Sequence, residues 1–246
     1  MSEKHVGEEM IVKISRNVAV FERIPKLEQG SQYYEYMIKQ TLQELLSYIE
    51  EIEKTFKDKL NSGGFIQEKQ ISTGERFEDL DHEKFDEHWK YEREFPQIAR
   101  YSLITSIYSY TEEWSLDTCR KAEDALGLPP TPNLKYIQSA KDALQNSVNI
   151  DFSGLQQEWK IIDDFRKVRN CIVHSRGSVN NQTANRLQQL QVAVGDLTSM
   201  GVSIQQENIY LDEKVCVEFI ETVSRFFKEI YSQIEQKVKA KNAQKK

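Results

Sequence analysis

The chain has 246 residues, 39% of them hydrophobic and 29% charged, with 33 Lys and Arg against 39 Asp and Glu for a formal net charge of −6. That length buries a real core in one large or two small domains, the composition is neither that of a disordered chain nor that of a membrane protein, and the acidic balance excludes capture of nucleic acid by bulk charge. No apolar run approaches the ~20 residues of a membrane span, and the opening "MSEKHVGEEM" lacks the basic-then-apolar layout of a signal peptide, so a cytoplasmic protein with no membrane partner is expected.

Ten Gly and five Pro cluster and leave long stretches with apolar residues at three-to-four spacing, which predicts an all-α fold. The β-branched "MIVKISRNVAVF" reads as a short strand or an arm packed on the body. A long amphipathic helix is expected from Tyr33 to about Leu60, stopped by "NSGG". A loop and an acidic helix follow, anchored by Phe77, Leu80, Phe85 and Trp89, with a module boundary near Pro96. A second long helix carries Leu103, Ile107, Tyr110 and Trp114 as its core repeat and ends at Gly127 and "LPPTP". Next come a short helix over about Asn133 to Asn146, a helix from about Gly154 to Arg176, a break at "GSVNNQ", and a helix over "TANRLQQLQVAVGDLTSM". "VSIQQENIYL" reads as a small β-hairpin, and Asp212 can cap a final helix running to about Lys239. The organisation expected is 1–95 as an N-terminal arm and helical extension, 96–240 as a helical domain and 241–246 as a basic tail.

Cys119, Cys171 and Cys216 are odd in number, far apart and set in helical patterns, so they read as small core residues and not as disulfides or metal ligands. Charge is uneven. Glu68 to Glu94 holds ten acidic and five basic residues, whereas Lys160 to Arg176 holds five basic and two acidic, and the closing "KVKAKNAQKK" has five lysines. A local basic surface is therefore compatible with an acidic chain, and the acidic segment could cover a basic cleft as a mimic of nucleic acid or simply be a solvated face.

The stretch "FRKVRNCIVHSRG" concentrates the chemistry. At about 100° per residue, Ile161, Phe165, Val168 and Ile172 form a core stripe, and Arg166, Asn170 and His174, spaced four and four, line up on the opposite face. Arg169 stands on the shoulder between them with Ile162 and Val173, a partly apolar strip suited to another helix or subunit. Imidazole moves protons near neutral pH, guanidinium grips phosphate oxygens in pairs, and an amide can orient the imidazole, so this set suits metal-free phosphodiester chemistry. The same residues also describe an ordinary solvated helix face, with His174 in the last turn as a stabilising cap.

Arg169, "NCIV" beginning with Asn170, and His174 resemble the arginine, polar residue and histidine motif of the HEPN superfamily, whose helical-bundle domains include metal-independent ribonucleases of defence and toxin systems. The motif closes the third helix of a four-to-five-helix region, and a long helix with "SYTEEW" precedes it; the resemblance spans about Pro96 to Lys239. It implies a HEPN-like bundle in which His174 is general acid or base, Arg169 the phosphate and transition-state ligand, and Asn170 the positioning group. It also implies a homodimer that joins two motif helices in a composite cleft, RNA as substrate, 2′,3′-cyclic phosphate and 5′-hydroxyl ends, no cofactor or metal, and an antitoxin or defence-complex protein as a further partner. A non-catalytic HEPN-type module that binds RNA or protein is the alternative.

Arg166 and Arg176 lie outside the motif and are RNA-backbone contacts on physical grounds, with a salt-bridged surface role for Arg166 and a helix-cap role for Arg176 as the other readings. Glu112 or Glu113 could orient Arg169 or face solvent. Tyr101, Tyr108, Tyr110 and Trp114 could stack bases, although helical spacing places Tyr110 and Trp114 in the core. His82 and His88, among carboxylates in "DLDHEKFDEHW", read as part of a solvated acidic face in preference to a metal site.

Overall fold

The computed structural model describes residues 30–62, 87–180 and 182–244; the "MIVKISRNVAVF" segment, Phe77, Leu80, Phe85, His82 and the end of the basic tail lie outside them. The described chain is all-α. It comprises α1 (Gln40–Ser62), α2 (Phe95–Leu126), α3 (Ile137–Asn146), α4 (Gln156–Ser175), α5 (Ala184–Asp196) and α6 (Val215–Ala243), with β1 (Val202–Gln205) and β2 (Asn208–Leu211) between α5 and α6. A helical turn Gly30–Tyr34 and a π turn Glu35–Lys39 lead into α1. No helix among the described residues is long and apolar enough to cross a membrane.

Pro96 sits inside continuous helix. A π turn, Lys90–Glu94, precedes it, with the Phe95 N–H bonded to the Lys90 carbonyl. Widening the helix there relieves the carbonyl against which a proline ring would press.

The chain forms two compact units, each assembled from separated segments. Among the described residues, one takes its segments from 30–40, 116–151 and 227–244, the other from 41–62, 87–115, 152–180 and 182–226. In the first, Ile38, Cys119, Ile137, Leu144, Ile230 and Ile234 are buried, and Tyr33 stacks on Tyr231 at 5.4 Å. Its connection after α2 turns at Gly127, whose φ is +62°, and is held by buried Glu123, which accepts the Thr131 N–H at 3.1 Å and the Thr131 hydroxyl.

The second unit contains the basic stretch. Its core joins Leu42 and Ile49 of α1, Ile104 and Ile107 of α2, Phe165 and Val168 of α4, Leu190 and Val194 of α5, and Phe219 and Val223 of α6. Phe165 stacks on Phe219 with ring centres 3.9 Å apart. The hairpin pairs Val202 with Leu211 and Ile204 with Ile209, which puts these four on one face. Gln206 and Glu207 both have positive φ, as a two-residue hairpin turn of matching twist requires.

Several face assignments are corrected. Ile161 is only half-buried, while Ile162, placed on the shoulder by periodicity, is fully buried together with Cys171. Tyr110 is 39% exposed and stacks on half-buried Trp114. The buried face of α2 runs through Thr111, Ser115 and Thr118 instead. These hydroxyls enter the core because they are satisfied locally: Thr111 donates to the Ile107 carbonyl and Ser115 to the Thr111 carbonyl, each at 2.7 Å, and Thr118 meets the Tyr231 hydroxyl at 2.8 Å. Trp89, expected as an anchor, is 40% exposed with Arg93 over its ring.

Candidate functional site

The carboxyl end of α4 is fixed by its surroundings. Arg176 adopts left-handed backbone (φ 54°, ψ 31°), and its N–H returns to the Cys171 carbonyl, as does that of Gly177 at 3.2 Å. The chain then runs along β2, with the Ile209 N–H bonded to the Gly177 carbonyl and the Val179 N–H to the Glu207 carbonyl. Gly177 has φ +84° and lies so close to the Tyr101 hydroxyl that a Cβ has no room. That hydroxyl donates to the Ile209 carbonyl. The hairpin therefore holds the end of the helix that carries His174.

Beside this end, α4 and α5 border an open cleft of about 520 Å³. Arg166, Lys167, Asn170 and His174 line it from α4, and Gln182, Arg186 and Gln189 from the opposite wall. Arg166, Asn170 and His174 are thus brought together. Arg169 is not among the lining residues, being about 140° around the helix from His174. Its guanidinium lies over the Tyr108 ring, 5.8 Å from the centre, and Nη1 donates to Asn170 Oδ1 at 3.0 Å. Among the described residues, Arg169 Nε and Tyr108 Oη are buried without a hydrogen-bond partner, and burial pushes the Tyr108 phenol up. Arg176 is exposed and does not line the cleft.

The cations of the cleft differ in how they are engaged. Arg166 Nε donates to Asp163 at 2.8 Å, and Lys167 bridges Asp163 at 3.0 Å and Asp164 at 2.7 Å. Burial alone would raise the Asp163 carboxyl, but Arg166 and Lys167 hold it below its ordinary value. Asp164 is 2% exposed and also takes Lys160 at 3.0 Å. Arg186 and His174 are exposed, and neither has a carboxylate partner among the described residues.

Arg186, Gln182 and Gln189 escaped the sequence reading because "TANRLQQLQ" has no motif and only the packing of α5 on α4 brings it alongside. Of the aromatics considered for base stacking, Tyr108 is 2% exposed and Tyr101 is engaged with the hairpin, whereas Tyr110 is exposed and stacks on half-buried Trp114. Glu113 is exposed and Glu112 half-buried. His88 lies 3.4 Å from Glu92. No family model, curated protein or solved structure matches the chain.

Proposed function

We propose that the chain is a HEPN-type endoribonuclease that works without a metal as a homodimer, with His174, Arg169 and Asn170 at its centre and, by that resemblance, serves as a toxin or defence effector. The observation that carries the reading is the convergence of Arg166, Asn170 and His174 with Arg186 on one open cleft, on a helix whose opposite side is core. One imidazole removes the proton of a ribose 2′-hydroxyl, the 2′ oxygen bonds to phosphorus, and the bond to the 5′ oxygen breaks. A second imidazole protonates that leaving oxygen, so a 2′,3′-cyclic phosphate and a 5′-hydroxyl result. The cleft holds one histidine among the described residues, and in the homodimer His174 of the partner subunit supplies the other. Arg169, whose Nε has no hydrogen-bond partner among the described residues, exchanges the Tyr108 ring for phosphate oxygens, whose developing charge it stabilises.

A non-catalytic RNA- or protein-binding module of the same type is the second reading. One observation favours it: Arg169 lies outside the cleft that holds His174. Incubation of purified protein with total RNA in EDTA separates the two. Wild type is compared with Arg169→Ala and His174→Ala, product ends are analysed, and folding is checked by circular dichroism. The nuclease reading expects cyclic-phosphate ends from wild type and a fall of about 10²–10⁴-fold for folded His174→Ala. RNA binding without new ends, with chelator and with added Mg²⁺ alike, leaves the binding module.

A further inference from the structure

The two walls of the cleft offer different chemistry. On the α4 wall the guanidinium of Arg166 and the ammonium of Lys167 are already neutralised by Asp163 and Asp164. On the α5 wall Arg186 is exposed and has no carboxylate partner among the described residues. A guanidinium left without an acid in a cleft otherwise rich in amides is available to an anion arriving from solution, and its fork suits two phosphate oxygens at once. The amides are also differently engaged. Gln182 spends its Nε2 on Ser175 Oγ at 2.8 Å and so offers a carbonyl, whereas Gln189 Nε2 reaches Asn185 at 3.3 Å, on the exposed side of α5. A volume of about 520 Å³ is on the scale of a site for one small ligand and admits no stack of base pairs.

We propose that the cleft takes one unpaired nucleotide of single-stranded RNA, with Arg186 as the positioning residue for its phosphate and Gln182 and Gln189 facing the edge of its base. This rests on the reading of the chain as an RNA-acting protein. Single strands are the form in which base edges are free to meet amide donors and acceptors. Arg186 fixes where the strand lies, and His174 on the facing wall acts on what is fixed there.

The test is fluorescence anisotropy with the full chain and a labelled short oligoribonucleotide of mixed sequence, 2′-O-methylated so that the 2′ oxygen cannot attack. The strand is offered alone and annealed to its complement over a range of salt concentrations. Arg186→Ala and Arg186→Lys are compared with wild type, and Arg120→Ala removes an exposed cation of the other unit as a control. The expected result is preference for the single strand and about a tenfold loss for Arg186→Ala. The slope of log affinity against log salt falls by about 0.7, the value of one single-strand phosphate contact, in Arg186→Ala. Arg186→Lys keeps the slope but recovers only part of the affinity, and Arg120→Ala matches wild type. Equal affinity and slope for folded Arg186→Ala and wild type overturn the role of Arg186 while leaving RNA binding intact. Duplex bound as tightly as single strand overturns the unpaired nucleotide. Failure of wild type to bind either RNA overturns this inference together with the RNA-acting reading.

Discussion

Arg176 occupies the position after α4 where the backbone must turn left-handed, a conformation that costs a non-glycine residue about 1 kcal/mol. The hydrogen bonds that close the helix come from the backbone of Arg176 and Gly177, so the Arg176 side chain is not needed for the cap. Arg176→Gly is therefore expected to raise stability by about 0.5–1 kcal/mol, measured by urea unfolding. An unchanged RNA affinity in that variant would remove Arg176 from the binding surface, and a loss would keep it there. At this scale the α4 wall of the cleft was legible in the sequence, because Arg166, Asn170 and His174 share a face through spacing alone. Arg186 was not legible, since its place depends on a tertiary neighbour. Arg169 and His174 were legible as a motif but not as a geometry, for five residues of helix carry two side chains to different sides.

The hairpin is the smallest element and it anchors more than its size suggests. Gln97 exchanges two hydrogen bonds with Leu211, Nε2 to the carbonyl at 2.6 Å and Oε1 from the N–H at 3.0 Å, and Arg100 Nη1 donates to the same carbonyl at 2.9 Å. The other donors of Arg100 form a two-pronged pair with Glu53 of α1, both at 2.7 Å. Arg100 is 7% exposed, so removing its carboxylate leaves a buried charge unpaired. Glu53→Ala is expected to cost about 3 kcal/mol in urea unfolding and, because Arg100 also reaches Leu211, to loosen amide exchange protection in β2. Helix stops were readable from glycine, as at Gly127 and Gly177, whereas Pro96 marks no helix start because the π turn before it lets the helix run through. Which face turns inward was less so: Thr111, Ser115 and Thr118 look polar in the sequence, and only their bonds to nearby carbonyls and to Tyr231 make them core.

Across the whole molecule, burial raises several acidic groups in the same direction. The thiols of Cys119 and Cys216 are pushed up to about 12, that of Cys171 to about 11, and the Tyr101 phenol to about 12. An acid whose pKa is higher folded than unfolded contributes stability that is complete below the unfolded value and lost as pH rises toward the folded one. Stability is thus expected to hold through neutral pH, to fall from about pH 9 upward, and to keep falling to about pH 11–12, which thermal melts at stepped pH would show. Burial that pushes the Cys171 thiol up to about 11 also leaves a thiolate fraction about a hundredfold smaller in the native state than in the unfolded chain, so native alkylation near pH 8 should be slow by a comparable factor.

Each compact unit is stitched from segments distant along the chain, and the stitching imposes an order in time. During synthesis α4 and α5 emerge complete with every residue that lines the cleft, yet Phe219, on which Phe165 stacks, and Val223 beside it lie beyond them on α6. A nascent chain holding His174 and Arg186 therefore lacks the α6 side of the core beneath them, and the hairpin that fixes the end of α4 is also still to come. The cleft therefore gains the full support of its floor only once a good part of α6 has left the ribosome, so its final shape is a late product of synthesis and not a property of α4 and α5 alone.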